Sequence, residues 1–348
     1  MHTIGLPETE TDSSIQKNDE LFYLQERIRR HKFTDPNILR MSMDFGLIWL
    51  QAILGVALFI TIPHTATLII SLILIGSAQH GLGLVAHEGA HYLILPSNRA
   101  RNDTITRWLF ASPIMLPFSL YRRRHLLHHR FVSTSRDTKE FYKRDIRGFR
   151  AVIELIRSIS GLDYILQVKS ALYRDKGDKL EIQDELTTKP QQIPSRFFQV
   201  DWVRKDLLPI LIMQLGLIMA FSEFDIRFYI LLWLVPNITV SMLVSKARSI
   251  VEHYPLTTQA FSAPGSIYFR ETATPCLRSV EACFLERLLF SKINFHFHAE
   301  HHAWPYLSYQ MLPKVHALLV ETQKTRKFSA FQFGEGYLII LGKLVAGR

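Results

Sequence analysis

The residues best placed to do chemistry in this 348-residue chain are histidines in three short groups: HEGAH (His87, His91), HLLHH (His125, His128, His129) and HAEHH (His298, His301, His302). In a helix, positions three and four apart share a face, so each group offers two or three imidazoles converging on one side. Together they supply eight candidate nitrogen ligands, and imidazole suits iron, copper and zinc. One four-coordinate zinc would use half of them, so a pair of metal ions fits the number better.

The groups can cooperate only if the elements that carry them end on one side of whatever the chain builds. Hydrophobic residues make up 48% of the sequence and concentrate in long runs, which indicates an integral membrane protein rather than two soluble domains. Residues 45–62 and 65–86 are uncharged and separated by Pro63. Each approaches the roughly 20 residues that cross a bilayer as a helix. A second pair lies at 207–221 and 228–245, where the first run is short and Pro236 is expected to kink the second. The expected fold is therefore an all-α membrane protein with four transmembrane helices in two hairpins.

Charge gives the expected orientation. Lys and Arg crowd the stretch between the two pairs and the segment Arg27 to Lys32, whereas the turn from Ser222 to Asp225 carries none. The positive-inside rule then makes both termini and the long segments cytoplasmic. All three histidine groups fall outside the apolar runs on that same face, so a cytosolic helical cap can bring them to one site. Residues 105–120, broken by Pro113 and Pro117, and residues 281–290, with Glu281, Glu286 and Arg287, read as interfacial rather than spanning. Residues 337–346 are too short to cross.

The rest of the chain divides into a polar, partly disordered segment at 1–40, a membrane domain at 41–325 and a tail at 326–348. The acidic start (Glu8, Glu10, Asp12, Asp19, Glu20) lacks the pattern of a secretory signal, so insertion is expected to use the first span. Ile153, Leu155, Ile156 and Ile159 are spaced for an amphipathic helix laid against the cap, and Asp175 to Pro194 reads as a surface loop. Cys276 and Cys283 lack CxxC spacing and read as reduced thiols in packing positions. The formal net charge of +10 would suit nucleic acid in a soluble protein. Around membrane segments it points instead to anionic lipid headgroups and acidic redox proteins.

HEGAH, then YRRRHLLHHRFVSTSRDT, then NFHFHAEHHAWPYLSYQMLPKVH resemble the three histidine boxes of the integral-membrane fatty acid desaturases and their hydroxylase relatives. The resemblance covers roughly residues 65 to 320 and includes Thr134 and Asp137 after the second box and Pro305, Leu312, Pro313 and His316 after the third. It implies two iron ions held almost wholly by histidines, with a further ligand between the fourth span and the third box. His253 is the only histidine between His129 and His296, which makes it the ninth ligand on this reading. The resemblance further implies a cycle in which two external electrons reduce the iron pair, O2 binds, and adjacent carbons of an acyl chain lose hydrogen to give a double bond and water. The substrate would be an acyl lipid, acyl-CoA or acyl-carrier protein. No HPGG-like haem motif is present, so electrons are expected from a separate ferredoxin, rubredoxin or cytochrome b5.

Several neighbours of the ligands have two readings each. Glu252 could support a ligand imidazole or pair with Arg248 four residues earlier, and Asp137 could take a ligand's second N–H or pair with Arg136 or a nearby Lys. Asn294 could orient a ligand or bound water, or cap a helix. His80 could face the substrate end of the site or be a satisfied interior histidine; His296 should point away from the third box. Arg122, Arg123 and Arg124 could hold an anionic group or form a solvated interfacial run.

An alkyl chain has no acidic proton and no electrophilic carbon, so side-chain acids, bases and nucleophiles alone cannot start its oxidation. A metal and dioxygen can. The alternatives within the same chemistry are a hydroxylase, a carotenoid-modifying oxygenase or a fatty acid decarboxylase; outside it, a metal transporter or sensor. Transporters place ionisable ligands near the bilayer midplane, whereas these boxes lie beyond the apolar runs.

Overall fold

The computed structural model describes residues 26, 28, 30, 36–132, 137–138, 146–172, 203–253, 278–325 and 332–347. Most of the polar start, the loop from Asp175 to Pro194, Arg136 and Cys276 lie outside the described residues. In chain order the helices begin with α1 (Ile38–Thr61), α2 (Thr65–Ala90), α3 (Arg99–Ile105) and α4 (Phe118–Phe131). The amphipathic α5 (Phe149–Ile159) and α6 (Leu162–Leu172) follow, then α7 (Val203–Ser222) and α8 (Tyr229–His253). A short strand β1 (Arg278–Val280) leads into α9 (Phe284–Leu289), α10 (His298–Ala303) and α11 (Leu312–Thr325), and the chain closes with strand β2 (Gln332–Gly334) and α12 (Tyr337–Val345).

Four of these helices, α1, α2, α7 and α8, are long and apolar enough to cross a membrane. Each extends the apolar run read from sequence. The extension matters at two ends: α2 continues to Ala90, with His91 as its C-cap, and α8 continues to His253. The first histidine box and His253 are thus the final turns of two membrane helices. On either side of Pro236, where the sequence leads one to expect a kink, the helix forms π-helical turns at Tyr229–Leu234 and Asn237–Ser241; a proline has no N–H to give to the hydrogen-bond ladder.

The central helix is α2, buried almost continuously from Ile75 to Ala90. Small residues let its neighbours close in: a Cβ at Gly76 would sit 2.5 Å from Val240 Cβ on α8. Residues 105–120 do not form a span. After a π-helical turn at Thr106–Ala111 the chain breaks at its prolines, and side chains from α7 and α8 satisfy the freed carbonyls. Gln214 donates to Ser112 O (2.7 Å), Trp233 Nε1 to Pro113 O (2.9 Å) and Asn237 Nδ2 to Ile114 O (3.1 Å). The polar residues inside those two spans serve the break, because a buried carbonyl left unpaired in apolar surroundings costs free energy.

Two arrangements differ from the sequence-based expectations. In α5 the buried residues are Ala151, Glu154 and Ser158, whereas Phe149, Ile153, Ile156 and Ile159 are exposed. The apolar ridge therefore faces outward. Ion pairing explains this: Lys246 of α8 reaches Glu154 (3.1 Å) and Asp163 (3.3 Å), and Arg157 bonds the same two carboxylates. The second difference is a parallel two-stranded sheet in register Arg278 to Gln332 and Val280 to Gly334. It ties the segment after residue 325 into the packed unit, where Tyr337, Ile340 and Leu344 of α12 cluster with Ile250 and Val251 of α8.

Candidate metal centre

Nine histidines from four places in the sequence come together at the ends of α2 and α8. His87, His91, His125, His129 and His301 form one cluster, with one ring nitrogen from each lying within 4.8 Å of all the others. His128, His253 and His302 form a second, and His298 adjoins it through His253. His129 and His302 stack at 4.1 Å between ring centroids, which joins the two groups.

Helical geometry explains the division. Successive helical residues are about 100° apart, so positions i and i+4 point within about 40° of each other, while i+3 lies about 60° to the other side. On α4, His125 and His129 share the first cluster and His128 enters the second. On α10 the same spacing works in reverse: His298 and His302 serve the second cluster and His301 the first. One box thus supplies both clusters, a finer result than convergence of each box on one point.

The nitrogen spacing fits metal ions. His91 Nε2 lies 2.7 Å from His125 Nε2, His125 Nε2 is 2.9 Å from His129 Nε2, and His129 Nε2 is 3.1 Å from His301 Nε2. In the second group, His253 Nε2 and His298 Nε2 are 2.8 Å apart. Two nitrogens each about 2.1 Å from one ion stand about 3.0 Å apart at right angles and about 4.2 Å apart when opposite. Buried ring atoms with no hydrogen-bond partner among the described residues, including His302 Nε2, suit the same role.

Protonation favours ligation as well. Burial, then the neighbouring imidazoles, hold His125, His301 and His302 well below the ordinary histidine value. His91 is pushed down to about 4, chiefly by burial and then by the Arg122 guanidinium. The neutral rings keep the lone pair that binds a metal.

The surrounding residues fix these rings. Asp137 is buried with its carboxylate 2.8 Å from His128 Nδ1. Glu252 makes both contacts considered for it: it accepts from Arg248 Nε (2.7 Å) and lies 3.3 Å from His298 Nδ1. Asn294 does not cap α10, whose N-cap is Phe297; at φ +60° its amide donates to Tyr309 O (3.3 Å). His80 is satisfied inside the bundle by Phe290 O at 3.1 Å, and His296 is buried with its ring tilted against Phe297, 4.0 Å between centroids. Arg122 is not a solvated side chain. It bonds both oxygens of Asp103 (2.5 and 2.7 Å), donates to Gly89 O (2.8 Å) and lies over the rings of Tyr92 and Phe118.

Other supporting residues escaped the sequence. Within HAEHH, Glu300 accepts from the Ser279 hydroxyl and pairs with His316 Nδ1 at 2.6 Å, which fixes the backbone of α10 between its histidines. Within HEGAH, Glu88 accepts from Tyr309 N (3.1 Å), and a Cβ on Gly89 would collide with Thr106. Their place inside the boxes was the available signal; their partners, 16 and 221 residues away, were not visible.

The sequence model of the family described as Fatty acid desaturase matches residues 63–333, a stretch containing all nine histidines. Comparison with curated proteins gives no match.

Proposed function

Because the chain belongs to the fatty acid desaturase family, we propose that it is a membrane-bound acyl desaturase whose nine clustered histidines hold two iron ions. The observation that carries this reading is the convergence of His87, His91, His125, His129 and His301 on one point, with His128, His253, His298 and His302 beside it. Nearly all-nitrogen donor sets suit a redox-active first-row metal better than the hard cations that prefer oxygen.

When bound, iron supplies with dioxygen an oxidant able to take hydrogen from an unactivated methylene. The balanced reaction converts CH2–CH2, O2, two electrons and two protons into CH=CH and two waters. The chain's own residues then have distinct tasks. The nine imidazoles bind, and Asp137 and Glu252 orient His128 and His298 through their Nδ1 atoms. Burial of both clusters limits access of water to the reacting centre.

In the bilayer, α1–α2 and α7–α8 act as two hairpins, with the histidines in a cytosolic cap and both termini cytoplasmic. The outward apolar ridge of α5, continued by Leu162 and Ile165 of α6, supports seating at the membrane surface. Electrons come from a separate ferredoxin, rubredoxin or cytochrome b5, and the formal charge of +10 favours an acidic donor.

The test is lipid analysis of cells expressing the chain with a compatible donor. Desaturation yields acyl chains two mass units lighter, only in air. Gain of one oxygen atom would reassign the chain to hydroxylation, and a terminal alkene one carbon shorter to decarboxylation. No oxygen-dependent lipid change in protein shown to be iron-loaded and supplied with electrons would overturn the acyl-chain reading.

A further inference from the structure

Tyr337 opens α12, far in sequence from every histidine of the centre, yet it is fully buried behind the second cluster. Its hydroxyl donates to Glu252 Oε1 at 2.8 Å, the same oxygen that accepts from Arg248 Nε at 2.7 Å. The other carboxylate oxygen, Oε2, faces His298 Nδ1 at 3.3 Å. His298 turns Nε2 the opposite way, 2.8 Å from His253 Nε2. An ion taking both Nε2 lone pairs leaves the His298 proton on Nδ1, and the carboxylate is then its acceptor; Arg248 Nη2, 3.4 Å away, is itself a donor.

We propose that Tyr337 is a positioning residue for the four-imidazole cluster: by holding the Glu252 carboxylate it sets the orientation of His298 and how firmly that cluster keeps its ion. Two donors on Oε1 fix the carboxylate plane, so Oε2 stays aimed at the histidine. Arg248 sits one turn before Glu252 on the same helix, whereas Tyr337 braces it from another element. The tyrosine ring is itself held: it stacks on Phe290 (5.4 Å between centroids) and packs with Ile340 and Val251. Burial and the Glu252 charge raise the pKa of its hydroxyl well above the ordinary tyrosine value, so it remains a donor. The C-terminal helix thereby becomes part of the metal centre's support.

This inference rests on reading the histidines as iron ligands, and one experiment separates the two. The full chain is purified in detergent, loaded with ferrous iron, and iron release to a chelator is followed. Loss of an outer partner such as Glu252 in E252Q should speed release of one of the two ions about 10- to 100-fold, and Y337F about three- to tenfold. Because Tyr337 acts through Glu252, Y337F/E252Q should match E252Q alone. Leu338→Ala, on the exposed side of the same helix, should leave release unchanged. If Y337F does not accumulate, Y337F/E252Q should, since the neutral amide no longer needs the second donor; failure of both would make Tyr337 a packing residue and end the proposal. Release from Y337F at the wild-type rate, or effects that multiply in the double variant, would overturn it while the iron reading stands. A wild-type chain that takes up no iron would overturn both.

Discussion

The two histidine clusters use the same helical spacing but are steadied in different ways. Among the described residues, the carboxylates facing imidazole Nδ1 atoms of these clusters, Asp137 on His128 and Glu252 on His298, belong to the four-imidazole cluster. In the five-imidazole cluster, supports act on the backbone of the first box. Arg122 locks the carbonyl of Gly89 between the two histidines of the first box, and Thr106 packs where a larger residue at 89 would stand. A centre of two ions can thus have one site tuned by charge and the other by backbone position. The two should respond to different substitutions.

The largest expected effect comes from removing a ligand. His301→Ala should empty the five-imidazole cluster and His128→Ala the other, each abolishing O2-dependent product while the protein still inserts into membranes. Iron analysis of the two purified variants checks this; unchanged iron in both would break the division into two clusters. Loss of a carboxylate comes next. Asp137→Asn should weaken metal retention or activity about 10- to 100-fold, with the loss confined to the four-imidazole cluster. An equal loss of both ions would show that the carboxylates support the whole centre.

Substitution in the other cluster's support should act mainly through folding. Arg122→Gln breaks its paired contacts with Asp103 and Gly89 and should cost about 1–3 kcal/mol, measured by thermal unfolding in detergent. An unchanged melting temperature would remove Arg122 from the account.

A smaller, graded effect follows from pH. Burial and then the Arg122 guanidinium push His91 down to about 4 in the folded chain from an ordinary 6.5. As pH falls below about 6.5 the unfolded chain takes up protons that the folded chain refuses. Metal-free protein should therefore lose stability between about 6.5 and 4, with no further loss from this group at lower pH. Bound metal should oppose the loss, because it occupies the same lone pairs. A melting temperature flat from pH 7 to 4.5 would contradict the burial of neutral imidazoles.

Much of this was legible in sequence where the signal is local. Apolar runs long enough to span a membrane and histidines at i, i+3 and i+4 depend on residues near one another, so α1, α2, α7, α8 and the boxes could be read directly. The pairing of partners across the fold could not. Nothing around Tyr337 signals its contact with Glu252, 85 residues earlier. The outward ridge of α5 shows the same limit: its periodicity gave an amphipathic helix, but Lys246 decides which face is buried. Gln214 and Asn237 are polar residues within apolar helices, and their role is visible only beside the proline break at residues 112–114.

The central claim is that nine histidines form two iron sites, and elemental analysis of the purified full-length protein tests it most directly. The account predicts about two iron atoms per chain, in line with the ligand count, with oxygen-dependent activity that disappears on iron removal and returns on reloading. Stoichiometric zinc in fully active protein, or full activity with no iron bound, would contradict it.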